Sequence, residues 1–155
     1  LLDFKGASIP ESKSTVEVAD GRVYLGIGNG GTKVLDASNL HVRQSIPQMH
    51  SSTLDYTHTV TNAVSAGPYE FYVGDGEAGL RVFRLDSHGQ GYAVAGIDFG
   101  AKRSVNAIKY HDGHLVIASG LGGVKIVRIH RKDMKIHLYE NEFYKKLAQW
   151  RRLDD

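Results

Sequence analysis

Cysteine is absent from the 155 residues, which excludes disulfides, thiolate metal sites and a thiol nucleophile while leaving the redox compartment open. Long apolar runs are absent too. No stretch approaches the roughly 20 residues a membrane helix requires, so no membrane span is expected. Charge of one sign is not in excess: 19 basic against 17 acidic residues leave a formal +2, too little to make nucleic acid the expected partner. The chain opens at Leu1 with no initiator Met, basic n-region or apolar h-region, so a signal peptide is expected to be absent or already removed. Catalytic signatures are missing as well: there is no Gly-x-Ser-x-Gly elbow, no His-Glu-x-x-His and no carboxylate pair with a credible common site.

Glycine, by contrast, is abundant, with 18 in the chain, and it recurs at fixed places. Residues 23–36 (VYLGIGNGGTKVLD), 71–85 (FYVGDGEAGLRVFRL) and 115–129 (LVIASGLGGVKIVRI) each read as an apolar strand, a glycine-rich reversal and a second strand with a basic residue near its start. Superposing Gly28, Gly76 and Gly120 also superposes Gly31, Gly79 and Gly123, then Lys33, Arg81 and Lys125, without a gap. Val16, Val64 and Ile108 fall at one further common offset, with Asn62 and Asn106 in register before the last two. The period is 48 residues and then 44. A period in the forties made only of short strands predicts all-β architecture, as four-stranded antiparallel blades of a β-propeller.

Five segments are expected along the chain. Residues 1–6 resemble the segment 96–100 and read as the orphan outer strand of a preceding blade. Blades occupy 14–46, 60–99 and 104–140, with outer strands over 40–46, 92–99 and 134–140. Two-residue turns are expected at Asp20-Gly21 and Asp112-Gly113, a pairing favoured where φ must be positive. Residues 141–155 change to helical spacing: Asn141 can cap, and Phe143, Leu147 and Trp150 make an apolar stripe on a short amphipathic helix over 142–153.

The hairpins resemble proteins with LVIVD-type repeats, a class of bacterial β-propellers. Residues 71–85 carry the nearest match, in Tyr72-Val73-Gly74-Asp75-Gly76 and Gly79-Leu80-Arg81-Val82-Phe83; Gly26-Ile27 and Ala118-Ser119 depart where the pattern prefers an acid. The resemblance covers about residues 14–140. It implies a propeller on an exported, periplasmic or cell-surface protein, with a binding or scaffold role and no catalytic residues to carry over.

Several constellations compete for a role. Gly26-x-Gly28-x-x-Gly31 and Gly74-x-Gly76-x-x-Gly79 match the dinucleotide fingerprint, but each leads into a β-branched strand rather than a helix, so turn geometry explains them. Residues 47–59 form the longest connection and the first-ranked contact surface. Within it His50, Asp55 and His58 are weak metal candidates at no recognised spacing, and no cofactor or metal is expected. Lys33, Arg81 and Lys125 would either ring an anionic ligand or stand solvated beside their turns. Asn62 and Asn106 could line a channel mouth or bond to local backbone. His111 and His114 flank a turn.

Three blades fall short of the four to eight that close a propeller, so a protein partner, a second copy or further blades of a longer chain must complete the ring. The orphan first strand favours a portion of a larger propeller. The expected function is a non-enzymatic binding or scaffold module whose contact face includes Asn29, Tyr56, His58, Glu77, Lys102 and Arg103. The alternative is a propeller enzyme, lactonase- or lyase-like, acting on a small ligand at the central channel.

Overall fold

The computed structural model describes residues 13–130, 132 and 135–138. The orphan strand expected over 1–6 and the helix expected over 142–153 lie outside these residues. Among the described residues twelve strands form three four-stranded antiparallel sheets, each a meander of consecutive strands. Sheet 1 contains β1 (Ser14–Ala19), β2 (Arg22–Ile27), β3 (Thr32–Asp36) and β4 (Val42–Ile46). Sheet 2 contains β5 (Ala63–Ala66), β6 (Glu70–Gly74), β7 (Leu80–Leu85) and β8 (Gly91–Ile97). Sheet 3 contains β9 (Ala107–His111), β10 (His114–Ala118), β11 (Val124–His130) and β12 (Lys135–Leu138). The two short 3-10 turns, Tyr56–His58 and Gly120–Gly122, are the remaining regular elements among the described residues.

Each glycine-rich reversal closes with the same three backbone bonds. The amides of Ile27, Asp75 and Ser119 donate to the carbonyls of Gly31, Gly79 and Gly123 at 2.7–2.9 Å. Those of Gly30, Ala78 and Gly122 donate back to residues 27, 75 and 119, and those of Gly31, Gly79 and Gly123 to Gly28, Gly76 and Gly120. This loop needs positive φ twice, at 28 and 31 and at their counterparts, and all six positions are glycine. A Cβ on Gly31 would lie 2.1 Å from the Ile46 carbonyl oxygen, and one on Gly79 2.2 Å from that of Ile97, so close approach of the outer strand adds a second requirement. The Asp20-Gly21 and Asp112-Gly113 turns take positive φ at both residues, as type I′ hairpins demand.

Strand boundaries shift where a backbone partner was not readable. The innermost strands start at Ala63 and Ala107 rather than 60 and 104, because Thr61 and Val105 bridge instead to Gly28 and Gly76 of the preceding hairpin. Gly28 and Thr61 exchange both bonds at 3.0 Å, and the Val105 amide donates to Gly76 at 2.8 Å. These bridges join successive sheets at one end. The first outer strand starts at Val42 rather than 40: Leu40 takes φ 61° to close the turn begun by Asp36.

Sheet 2 lies between the other two. The β6 side chains are buried along its whole length, whereas β11 alternates exposed and buried residues. On one side Tyr24, Val34 and Ile46 of sheet 1 pack on Val64, Phe71, Val73 and Phe83, with Phe71 stacked on Phe83 at 4.9 Å and tilted against Tyr24 at 5.0 Å. On the other, Tyr72, Leu80 and Val82 pack on Ile108, Leu115, Ile117, Val127 and Ile129. Burial of a Leu, Val or Phe side chain contributes about 1.5–3 kcal/mol, so these two layers dominate the stability of the fold. Gln44 ties the outer strands of sheets 1 and 2 by giving and accepting bonds with the Gly91 backbone at 2.7 and 2.8 Å. Glu17 of β1 and Lys109 of β9 meet at 3.0 Å, so the first strands of sheets 1 and 3 converge.

Candidate functional site

At the end carrying the glycine-rich hairpins, the connection between β4 and β5 folds over sheet 2. Asp55 starts its short 3-10 turn by accepting from the Thr57 amide and hydroxyl, both at 2.9 Å. That holds the Asp55 carboxyl below the usual carboxylate range. Gln48 donates to the Tyr56 carbonyl and the Thr59 hydroxyl, both at 3.0 Å, and closes the loop on itself.

Beneath the loop is a buried ionic anchor. Asp75 is fully buried; its carboxylate accepts from the Thr61 hydroxyl at 2.6 Å and from Arg81 Nε, while Arg81 also donates to the Pro47 carbonyl at 2.9 Å. Burial pushes the Asp75 carboxyl above its ordinary value, opposed by Arg81, Thr61 and the Met49 amide. The start of the loop is therefore pinned to sheet 2 by a charge pair.

Above the anchor is a cavity of about 220 Å³ lined by Thr57, His58, Val60, Asn62, Glu77, Ser104 and Asn106. Its walls come from the loop, the second hairpin and the residues preceding β5 and β9. Glu77 organises it: His58 Nδ1 stands 3.5 Å from one carboxylate oxygen, the other accepts from the Lys102 amide at 3.0 Å, and the Glu77 amide donates to the His58 carbonyl at 2.7 Å. The Ser104 hydroxyl donates to Asn106 Oδ1 at 3.1 Å, and Asn62 Oδ1 accepts from the Lys13 amide at 3.3 Å. The Asn62 and Asn106 amides both donate at 2.9 Å, to the carbonyls of Gly74 and Ala118. The repeat thus brings two equivalent asparagines to the cavity.

Of the contact residues expected from sequence, His58, Glu77 and Lys102 come together here. Arg103 lies beside them but turns its guanidinium to the Phe99 carbonyl at 3.0 Å. Tyr56 stands exposed next to the cavity-lining Thr57, and Asn29 is exposed at the tip of the first hairpin. His50 is not joined to Asp55 and His58 as a ligand set: among the described residues no three His, Asp or Glu side chains are grouped to hold a metal. Nor do the three aligned cations form a solvated ring. Arg81 is paired with Asp75, Lys33 donates to the Ser45 hydroxyl at 2.9 Å, and Lys125 is buried. His111 and His114 pair across their turn, with His114 Nδ1 3.0 Å from the Asp112 carbonyl.

The anchor was not foreseen. Its signal was that only the second repeat combines an acid before the hairpin with Arg after it, six residues on. Among the described residues these observations define an all-β fold of three repeated antiparallel sheets with a small polar cavity at the hairpin end. No protein-family model matches the chain, and no curated protein matches it in sequence.

Proposed function

We propose that the three sheets are consecutive blades of a β-propeller, and that the hairpin end is a protein-binding surface of a scaffold module on an exported protein. The observation that carries the binding reading is the cavity itself. At about 220 Å³ it is smaller than the roughly 300–1,000 Å³ of typical small-molecule sites, a size suited to a single side chain of a partner. Large apolar side chains exposed at the same end support it: Tyr56 on the loop and Leu121 on the third hairpin, whose amide donates to the Lys102 carbonyl at 3.3 Å. An exposed aromatic beside a polar recess is the composition of an interface anchor region. The blade reading rests on the two glycine bridges between successive sheets and on the convergence of Glu17 and Lys109.

The test compares proteins captured by the wild type, by a His58→Ala/Tyr56→Ala variant and by a Tyr69→Ala/Asp112→Ala control altered in turns between other strands. A partner lost by the first variant and kept by the control supports the reading. A partner lost by the control alone, or hydrolysis of small lactones by the wild type that the His58→Ala/Tyr56→Ala variant lacks, overturns it.

A further inference from the structure

The two asparagines that the repeat brings to the cavity do not spend their side chains on the backbone of their own strands. Their backbone amides close those strands, donating at 2.9 Å to the carbonyls of Gly74 and Ala118. Asn62 Oδ1 accepts from the Lys13 amide, 49 residues away, at 3.3 Å, and Asn106 Oδ1 accepts from the Ser104 hydroxyl at 3.1 Å. With both oxygens engaged, the Nδ2 amino groups are the ends left for the cavity that the two residues line, and neither has a partner among the described residues. Asn62 is only 5% exposed, and an amino group so buried is costly to leave without an acceptor.

The second hairpin supplies the opposite polarity. Glu77 Oε2 accepts from the Lys102 amide at 3.0 Å, whereas Oε1 has His58 Nδ1 at 3.5 Å, too long for a good hydrogen bond, and so keeps its capacity to accept. This set is not a by-product of the repeat. Asn29 and Leu121 stand in place of Glu77 in the first and third hairpins, and Ser14 stands where the other repeats have Asn62 and Asn106. Among the described residues, only the junction of sheets 2 and 3 combines two amino donors with a carboxylate.

We propose, on the reading of the hairpin end as a protein-binding surface, that this cavity takes the primary carboxamide of an Asn or Gln side chain of the partner. The carboxamide oxygen accepts from the Asn62 and Asn106 amino groups, and its NH2 donates to Glu77 Oε1. A carboxylate would satisfy the amino groups but set like charges against each other at Glu77. An ammonium or guanidinium would pair with Glu77 but turn its hydrogens on the asparagine amino groups. Among side chains that carry acceptor and donor on separate atoms at neutral pH, a carboxamide is the one whose oxygen has two lone pairs, enough for both amino groups.

Titration of the isotope-labelled wild type with N-acetylglutamine methylamide, and separately with the matching glutamate, lysine and serine derivatives, tests this by NMR of the Asn62 and Asn106 side-chain amino groups. The glutamine derivative is expected to shift both groups and the Lys102 amide saturably, with a Kd of about 1 mM for so few atoms. The other derivatives should bind at least about tenfold more weakly, the worth of one hydrogen bond. Glu77→Gln keeps an oxygen for the Lys102 amide but turns an amino group to the cavity, so the preference should pass to the glutamate derivative; the β6 amide signals check that the variant is folded. No saturable shift with the glutamine derivative overturns the proposal. So does equal or tighter binding of any other derivative to the wild type, or a folded Glu77→Gln variant with unchanged preference; should that variant not fold, the wild-type ranking decides. Failure here while a captured partner is still lost by His58→Ala/Tyr56→Ala removes the carboxamide and leaves the protein-binding reading standing, whereas failure to lose that partner removes the binding reading itself.

Discussion

Arg81→Met removes the guanidinium that donates to the buried carboxylate of Asp75, and the cost can be bounded from the surroundings. The carboxylate must either stay ionised without its cation or take up a proton. Protonation at pH 7 from the ordinary value of 3.8 costs at most about 4.4 kcal/mol, at 1.36 kcal/mol per pH unit. Orphaning one member of a buried pair costs about 3–5 kcal/mol, so the two bounds agree on a loss of about 3–4 kcal/mol. The bond to Pro47 and the contact with the Phe83 ring at 5.4 Å vanish too, adding a pH-independent loss of about 1 kcal/mol. The sign of the pH dependence follows from the raised carboxyl. A group whose folded pKa lies above its unfolded value contributes stability that is present below 3.8 and is lost as pH rises through the folded value. In the variant that window widens, so its deficit relative to wild type shrinks by up to about 1.4 kcal/mol per unit from pH 7 to pH 5. Urea unfolding followed by far-ultraviolet circular dichroism at pH 7, 6 and 5 measures this, with Asp75→Asn/Arg81→Met as a control whose deficit does not shrink as pH falls, because the titrating carboxyl is gone. A deficit below about 1 kcal/mol, or one equal at all three pH values, would refute the ionic anchor.

The hairpin glycines divide by surroundings: Gly31→Ala meets the Ile46 carbonyl and should cost more than about 2 kcal/mol, whereas Gly113→Ala, with φ 78° but nothing within 4 Å, should cost only about 1 kcal/mol in thermal unfolding. The Asp36, Asp55 and Asp86 carboxyls are held below their ordinary value by hydrogen bonds from Ser38 and Arg43, from Thr57, and from the Gln90 and His88 amides respectively. Their contribution is present above the unfolded value of 3.8 and is lost as pH falls through the lowered folded values, so the melting temperature should drop between pH 5 and 2, and less steeply in each Asp→Asn variant. Glu77→Ala removes the acceptor of the Lys102 amide; exchange at that amide, read by NMR, should quicken roughly tenfold for a bond worth about 1.4 kcal/mol, while amides of β6 keep their protection.

The meander was legible because glycine can be read directly as backbone geometry. Residues 28, 31, 76, 79, 120 and 123 need positive φ, and their spacing reports three copies of one loop. The strand starts at Ala63 and Ala107 were not legible, since a bridge from Thr61 to Gly28 is a contact between repeats and leaves no mark in either repeat alone. His58 and Glu77 could be named as contact residues from loop position, yet their pairing depends on how residues 47–59 fold back. That in turn depends on Arg81 reaching the Pro47 carbonyl, 34 residues earlier in the chain. The aligned basic residues misled because long side chains at equivalent positions took different partners: Asp75 for Arg81, Ser45 for Lys33.

In the proposed blade arrangement the sheets fan out from converging first strands. Spin labels placed on cysteines introduced at Glu17 and Lys109, and in a second protein at Arg43 of β4 and Lys135 of β12, test it by pulsed dipolar spectroscopy, with no native cysteine to interfere. The blade arrangement predicts a short distance for the inner pair and a clearly longer one for the outer pair. Three sheets in a flat stack would stand about 20 Å apart at both edges, and equal distances for the two pairs would contradict the account.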